Sequence, residues 1–153
     1  MNRTVFVSLA LALASSFVFA ADLKPGQEEA RLKFDKQAAD LIKDVNAACG
    51  TNFTTIATDF ENFDKADFNR NPPGAVCSTL TYAVKTTCSS APYKKAFASK
   101  IKGLACLMGG NKTDPKDFKS RFFVKDGVFT YKMDRDGSGG IEATALLKAE
   151  LDT

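Results

Sequence analysis

The fold class follows from the stretch FKSRFFVKDGVFTYKM (residues 118–133) in this chain of 153 residues. Each of its two runs alternates apolar with polar residues, which is the pattern of a strand with one buried face. Lys125-Asp126-Gly127 separates the runs and has the composition of a tight hairpin turn. The sequence therefore predicts an antiparallel β-hairpin over these residues.

The residues before the hairpin predict helices. From 27 to 49 (QEEARLKFDKQAADLIKDVNAAC), apolar residues recur at steps of three and four, and Gly50 follows as a C-terminal cap. A second helix is predicted over 75–88, where the threonine content also allows a strand. A short third helix is predicted over 92–100.

The remaining elements complete an α+β pattern. An apolar run at 101–108 precedes the hairpin, and a final helix is predicted over 141–151. Helices followed by strands and a last helix are typical of the α+β class. We therefore predict N-terminal helices packed on one face of a small antiparallel β-meander, with a C-terminal helix.

The first 20 residues predict a cleaved secretory signal. Arg3 precedes an uncharged run, and Val18 and Ala20 suit a signal-peptidase site. A membrane anchor is the alternative, because the run is near the length that spans a bilayer. Cleavage after Ala20 predicts a single globular domain over 21–153, secreted or periplasmic, with no stable membrane insertion.

Four cysteines predict two disulfides, because an exported chain with an even cysteine count normally pairs them. If 75–88 is helical, Cys77 and Cys88 lie about 16 Å apart along its axis and cannot bond. Two pairings remain. We prefer Cys49 with Cys77 and Cys88 with Cys106, because the end of the first helix would then meet the start of the second.

Three short features resemble small exported four-cysteine proteins of Gram-negative bacteria. They are a helix that ends in Cys49-Gly50, a Lys100-Ile101-Lys102 stretch that leads to a cysteine, and the Lys125-Asp126-Gly127 turn. The resemblance covers most of the mature chain and implies no function.

Residues 134–145 (DRDGSGGIEATA) resemble the calcium-binding loop of the EF-hand family. The candidate ligands are Asp134, Asp136, Ser138, the Gly140 carbonyl and Glu142. The family's bidentate glutamate at position 12 is replaced here by Ala145, so the resemblance implies at most a weak Ca²⁺ site and no other cofactor. The alternative, which we favour, is a glycine-rich turn in which Asp136 or Ser138 caps the last helix.

A basic surface is the next candidate site. Lys119, Arg121, Lys125 and Lys132 fall on the polar side of the predicted hairpin, where they would meet an anionic surface or a partner protein. A solvated face that limits edge-to-edge aggregation is the alternative. The chain has 21 basic and 18 acidic residues, a balance that does not indicate nucleic acid as a partner.

No catalytic signature appears in the sequence. The chain has no histidine, which excludes histidine-dependent nucleophiles and most zinc hydrolases. A carboxylate-based hydrolase is a third hypothesis, carried by Asp59, Glu61, Asp64 and Asp67 in an irregular, phenylalanine-rich segment. We expect a non-enzymatic exported protein that binds a partner through its surface, with a calcium-binding module as the alternative.

Overall fold

The computed structural model describes residues 22–110, 116–135 and 137–153. The elements in chain order are α1 (Pro25–Cys49), a 3-10 turn (Phe60–Asn62), α2 (Pro73–Cys88), α3 (Ala91–Lys100), β1 (Gly103–Leu107), α4 (Phe118–Arg121), β2 (Phe122–Lys125), β3 (Val128–Lys132) and α5 (Gly140–Asp152). The predicted α+β class is confirmed, and so are the four predicted helices.

The predicted signal sequence, residues 1–20, lies outside the described residues. Within the described ranges, no helix has both the length and the apolar character needed to cross a bilayer.

Helices α1 and α2 pack side by side and point in the same direction. Near their C-terminal ends, Lys85 Nζ lies 2.7 Å from Asp44 Oδ2. Eleven residues earlier in α2 and seven earlier in α1, the Gln37 side chain packs so closely on Gly74 that a Cβ there would collide with it. The two helices therefore run parallel and stay in contact along α2.

Residues 50–72 connect the two helices. This segment runs back along α1, so that α2 can start near the N-terminal half of α1 and run parallel to it. The Phe60 ring meets the Phe34 ring edge to face, with the ring centroids 5.5 Å apart. Gln27 Nε2, in the first turn of α1, donates a hydrogen bond of 2.9 Å to the carbonyl of Glu61. The chain therefore re-enters at the N-terminal half of α1 before α2 begins.

The two predicted disulfides are present, but the preferred pairing is wrong. Cys49 bonds Cys88 and Cys77 bonds Cys106, with Cα atoms 5.2 and 5.8 Å apart. The prediction assumed that the end of α1 meets the start of α2. Because α1 and α2 are parallel, their C-terminal cysteines meet each other instead, and Cys77 is left to join β1.

The three strands form a mixed sheet in the order β1-β3-β2. The hairpin is confirmed: β2 and β3 are antiparallel, and Asp126 and Gly127 both have positive φ, 53° and 78°, as a type I′ turn requires. The predicted meander is corrected, because β1 pairs with β3 in parallel. β3 is central because Phe129, Thr130 and Tyr131 are all buried, so both its edges and both its faces are covered.

The strand predicted from Phe118 begins only at Phe122. The Asp117 side chain accepts a hydrogen bond of 3.1 Å from the Ser120 backbone N–H and thereby starts the single helical turn α4. The two-residue alternation of a strand does not apply across this turn. Arg121 consequently points inward and is 1% exposed.

The core lies between the inner face of the sheet and helices α1, α2 and α5. The Phe122 and Tyr131 rings stack across the hairpin with their centroids 4.3 Å apart. Ala143 and Leu147 are fully buried on the inner face of α5, and this helix packs beside β2. This packing places α5, α4 and β2 around one part of the surface.

Candidate functional site

Asp134, the first predicted calcium ligand, lies at the centre of a buried polar network. Its Oδ2 atom forms an ion pair with the Arg121 guanidinium and accepts a hydrogen bond of 3.0 Å from the Ser138 hydroxyl. Its Oδ1 atom accepts bonds of 2.8 Å from the Tyr131 hydroxyl and from the Gly137 backbone N–H. Both carboxylate oxygens therefore already have protein donors.

The network sets the protonation of its two acidic members. Burial raises the pKa of the Asp134 carboxyl, but the hydrogen bond from Tyr131 and the charge of Arg121, with smaller contributions from Ser138 and Gly137, bring that pKa below its ordinary value. Burial and the Asp134 charge raise the pKa of Tyr131. An ionised carboxylate and a neutral phenol are the stable forms.

The other candidate calcium ligands have separate surroundings. Asp136 lies outside the described residues. The Gly140 carbonyl accepts a hydrogen bond of 2.7 Å from the Thr144 hydroxyl, and Glu142 is exposed on the first turn of α5. In the part of the chain that the structure describes, no group of three or more His, Cys, Asp or Glu side chains is arranged to hold a metal ion.

The turn-and-cap alternative is correct for the turn and wrong for Ser138 as the cap. Gly137 and Gly139 have φ of 62° and 96°, values that favour glycine. The N-cap of α5 is Gly139, which has no side chain that could accept a hydrogen bond. Ser138 does not cap the helix, because its hydroxyl donates to Asp134. Asp134 organises the turn by accepting the Gly137 N–H.

Calcium at about 10 mM is expected to leave the melting temperature of the oxidised protein unchanged. The reason is that Asp134 would have to give up its donors to bind the ion. A site with a dissociation constant of about 1 mM would add about 1.4 kcal/mol of stability under these conditions. Thermal unfolding in EDTA, calcium and magnesium measures this, and a calcium-specific rise lost in Glu142→Gln would establish the site.

The four residues of the predicted basic surface do not share one face. Lys119 and Lys125 are exposed, on α4 and beside the hairpin turn. Lys132 is half-buried, with its Nζ 5.8 Å from the centroid of the Phe123 ring. The prediction for Arg121 is wrong, because α4 turns this side chain into the core, where it pairs with Asp134.

The four candidate catalytic carboxylates are engaged locally or exposed. Asp59 accepts hydrogen bonds from the Met108 N–H and the Asn62 amide, at 2.6 and 2.9 Å. Asp64 accepts the Ala66 N–H, Asp67 Oδ1 lies 3.9 Å from an Arg135 nitrogen, and Glu61 is exposed. The cavity that this segment lines, with Phe63, Lys65 and Phe68, includes none of the four.

Sequence reasoning missed a groove between α5 on one side and α4 with β2 on the other, which we call the β2 groove. It consists of two adjoining cavities of 230 and 510 Å³ that share Lys119, Leu146 and Ala149. The first cavity is also lined by Phe122, Phe123, Val124, Phe129, Leu147 and Glu150, and the second by Lys116, Asp117, Phe118, Glu142 and Ala145. Its floor is therefore aromatic and aliphatic, and its charges lie at the rim.

A signal for the groove is present in the sequence of α5. Ala143, Leu147 and Leu151 form the buried stripe at steps of four. Ala145 and Ala149 repeat the same step on an exposed outer stripe, and both line the β2 groove. A helix that is apolar beyond its core-facing stripe has surface left for a second contact.

The chain matches no protein-family model, and no curated protein or solved structure shows significant similarity to it. The resemblance to exported four-cysteine proteins therefore stays a prediction.

Proposed function

We propose that this chain is a non-enzymatic exported binding protein that holds part of a partner protein in the β2 groove. The observation that carries the proposal is the open, apolar groove beside the outer stripe of α5. Apolar concave surfaces with a few charges at the rim are typical of binding sites.

The chemistry of the groove supports binding rather than catalysis. Its floor consists of Phe122, Phe129 and Leu147, none of which can transfer a proton or act as a nucleophile. The carboxylates of Glu142 and Glu150 belong to exposed residues of α5 at the rim of the groove. An active site needs its acid, base or nucleophile positioned against a reacting atom in the cleft, and the groove places apolar groups there instead.

The two disulfides support residence in the periplasm or outside the cell. Disulfides persist in oxidising compartments and are rare in reducing ones. Cys49–Cys88 joins the two parallel helices, and Cys77–Cys106 joins α2 to the sheet. They tie together the elements behind the groove, so that a small exported domain presents a rigid surface.

Substituting Ala149→Arg is expected to weaken peptide binding by at least about tenfold, because Ala149 lines both cavities and the longer side chain fills them. The ligands are peptides selected from a random displayed library against the oxidised mature protein. Their affinities are measured by calorimetry. Ala47→Arg is the matched control, because Ala47 is an exposed alanine on α1 and lines neither cavity.

Binding to the Ala47→Arg protein should stay within about twofold of the parent, since the surface substitution leaves the groove intact. Equal loss in both variants, or a library that yields no binding peptide, would contradict the proposal.

A further inference from the structure

Strand β2 is the open edge of the sheet. The order β1-β3-β2 leaves one edge of β1 and one edge of β2 outside the strand pairs. Ala57 covers part of the β1 edge, where its N–H and C=O bond Leu104 and Cys106 at 2.9 Å. Among the described residues, no backbone group pairs with the outer edge of β2.

The hairpin register shows which backbone groups point outward. Lys125 and Val128 flank the type I′ turn and form a hydrogen-bonded pair. Going along β2 away from the turn, non-hydrogen-bonded and hydrogen-bonded pairs then alternate. Phe123 is hydrogen-bonded to β3, while the N–H and C=O of Val124 point away from it. Neither group of Val124 has a hydrogen-bond partner within the part of the chain that the structure describes.

The first cavity of the β2 groove lies at this same edge. Successive strand residues point to opposite faces of a sheet. Phe122 and Val124 nevertheless line the same cavity as Phe123. The cavity therefore extends from the sheet face below α5, where Val124 and its cross-strand partner Phe129 line it, to the edge of β2 at Phe123.

We infer that the occupant of the β2 groove is an extended peptide segment of a partner protein, which adds to the edge of β2 as a fourth strand. This inference rests on the proposed function and specifies its ligand. The Val124 N–H and C=O bond the backbone of the segment, and one aliphatic side chain of the segment enters the cavity against Leu146 and Leu147. Strand addition supplies affinity through backbone hydrogen bonds and specificity through side-chain pockets.

Size and charge select this occupant. The four residues of β2 span about 13 Å, which suits a short segment. A stable dimer of this chain would bury roughly 800 Å² of surface on each copy, far more than a four-residue edge offers.

Lys119 and Lys125 lie near opposite ends of β2, and neither forms an ion pair within the described residues. The segment therefore carries acidic residues on either side of its aliphatic one, away from Glu150 on the α5 wall.

Amide exchange at Val124 tests the added strand. The ligand is the tightest selected peptide whose binding is lost in Ala149→Arg, so groove binding is established before this measurement. By NMR, a saturating amount of peptide is expected to slow hydrogen exchange of the Val124 amide at least about tenfold. The Phe123 amide is the internal control, because it already bonds β3 and its exchange should not change.

Two further measurements sharpen the result. Methylating the peptide nitrogen opposite Val124 should abolish binding, and replacing the acidic residues of the peptide with lysine should weaken it at least about tenfold. Unchanged exchange at Val124, or a selected peptide that binds as a helix, would overturn the strand while leaving the groove as a binding site. Protection of Val124 that rises with protein concentration in the absence of peptide would identify a second copy as the occupant and overturn the inference as well.

Discussion

Replacing Asp134 with alanine is expected to lower the free energy of unfolding by about 3–5 kcal/mol. The substitution leaves the Arg121 guanidinium charged and 1% exposed, without its carboxylate partner. Within the described residues, the Nε and Nη2 atoms of Arg121 have no hydrogen-bond acceptor, so the ion pair with Asp134 is its principal compensation. The Phe118 ring, 5.0 Å from the guanidinium carbon, adds only a cation–π contact. Urea unfolding of the oxidised protein measures the loss.

Two controls separate the network from the loss of any carboxylate. Asp40→Ala removes an exposed aspartate of α1 and should change stability by less than about 0.5 kcal/mol. The double substitution Arg121→Met with Asp134→Leu should be less destabilising than Asp134→Ala alone, because no buried charge remains unpaired. A loss below about 1 kcal/mol in Asp134→Ala would show that water reaches the guanidinium and that the network is not a buried one.

The same network predicts the acid limb of the stability curve. The folded-state pKa of Asp134 lies below its ordinary value, so the unfolded chain takes up this proton first as the pH falls. The stabilisation is fully present above the unfolded-state pKa of about 3.9 and is lost as the pH falls through the folded-state pKa. The stability difference between the parent and Asp134→Ala should therefore be constant near neutral pH and should narrow below about pH 4.

Removing either disulfide is expected to cost roughly 4 kcal/mol, because each bond restricts the unfolded chain. Cys49–Cys88 closes a separation of 39 residues and Cys77–Cys106 one of 29. The paired substitutions Cys49→Ala with Cys88→Ala, and Cys77→Ala with Cys106→Ala, avoid leaving a free thiol. Because small domains have only about 5–15 kcal/mol in total, the chain without both bonds should be unfolded at 37 °C. Circular dichroism and urea unfolding at matched protein concentration measure these effects.

Peptide mapping without reduction checks the pairing itself. Trypsin can cut at Lys65, Arg70 and Lys85, which separates Cys49, Cys77 and Cys88 into different fragments. The fragment with Cys49 is expected to be linked to the one with Cys88. A link from Cys49 to the fragment with Cys77 would show that α1 and α2 are antiparallel and would contradict the fold described above.

The local elements were predictable because local rules specify them. The apolar spacing of α1, its glycine cap, and the prolines and glycines between segments act within a few residues. Asp126-Gly127 has two positive φ angles that few other pairs adopt, so the hairpin turn follows from composition. Helix α4 was missed because a single helical turn set by the Asp117 cap is too short to show a helical period.

The candidate site was less predictable, because it depends on which elements meet. The outer apolar stripe of α5 is visible in the sequence, yet the facing wall comes from α4 and β2. The sequence predicted Arg121 as an exposed cation on a strand, whereas it lies buried at the end of the helical turn α4. Asp134, which the sequence predicted as a calcium ligand, instead forms the ion pair with the Arg121 guanidinium.

The amino-acid sequence alone specifies the α+β class, the helices, the hairpin, and the existence of two disulfides that cannot link Cys77 to Cys88. These properties depend on residue spacing and backbone preference, which act over a turn or a strand. The tertiary structure alone specifies the pairing of the cysteines, the central position of β3, the burial of Arg121 and the open edge of β2. The cysteine pairing depends on the return of residues 50–72 along α1, and the central position of β3 depends on the burial of its residues. The burial of Arg121 depends on its pairing with Asp134. Such contacts join residues that are distant in the sequence. They form because together they bury the apolar core, which no single segment can do alone.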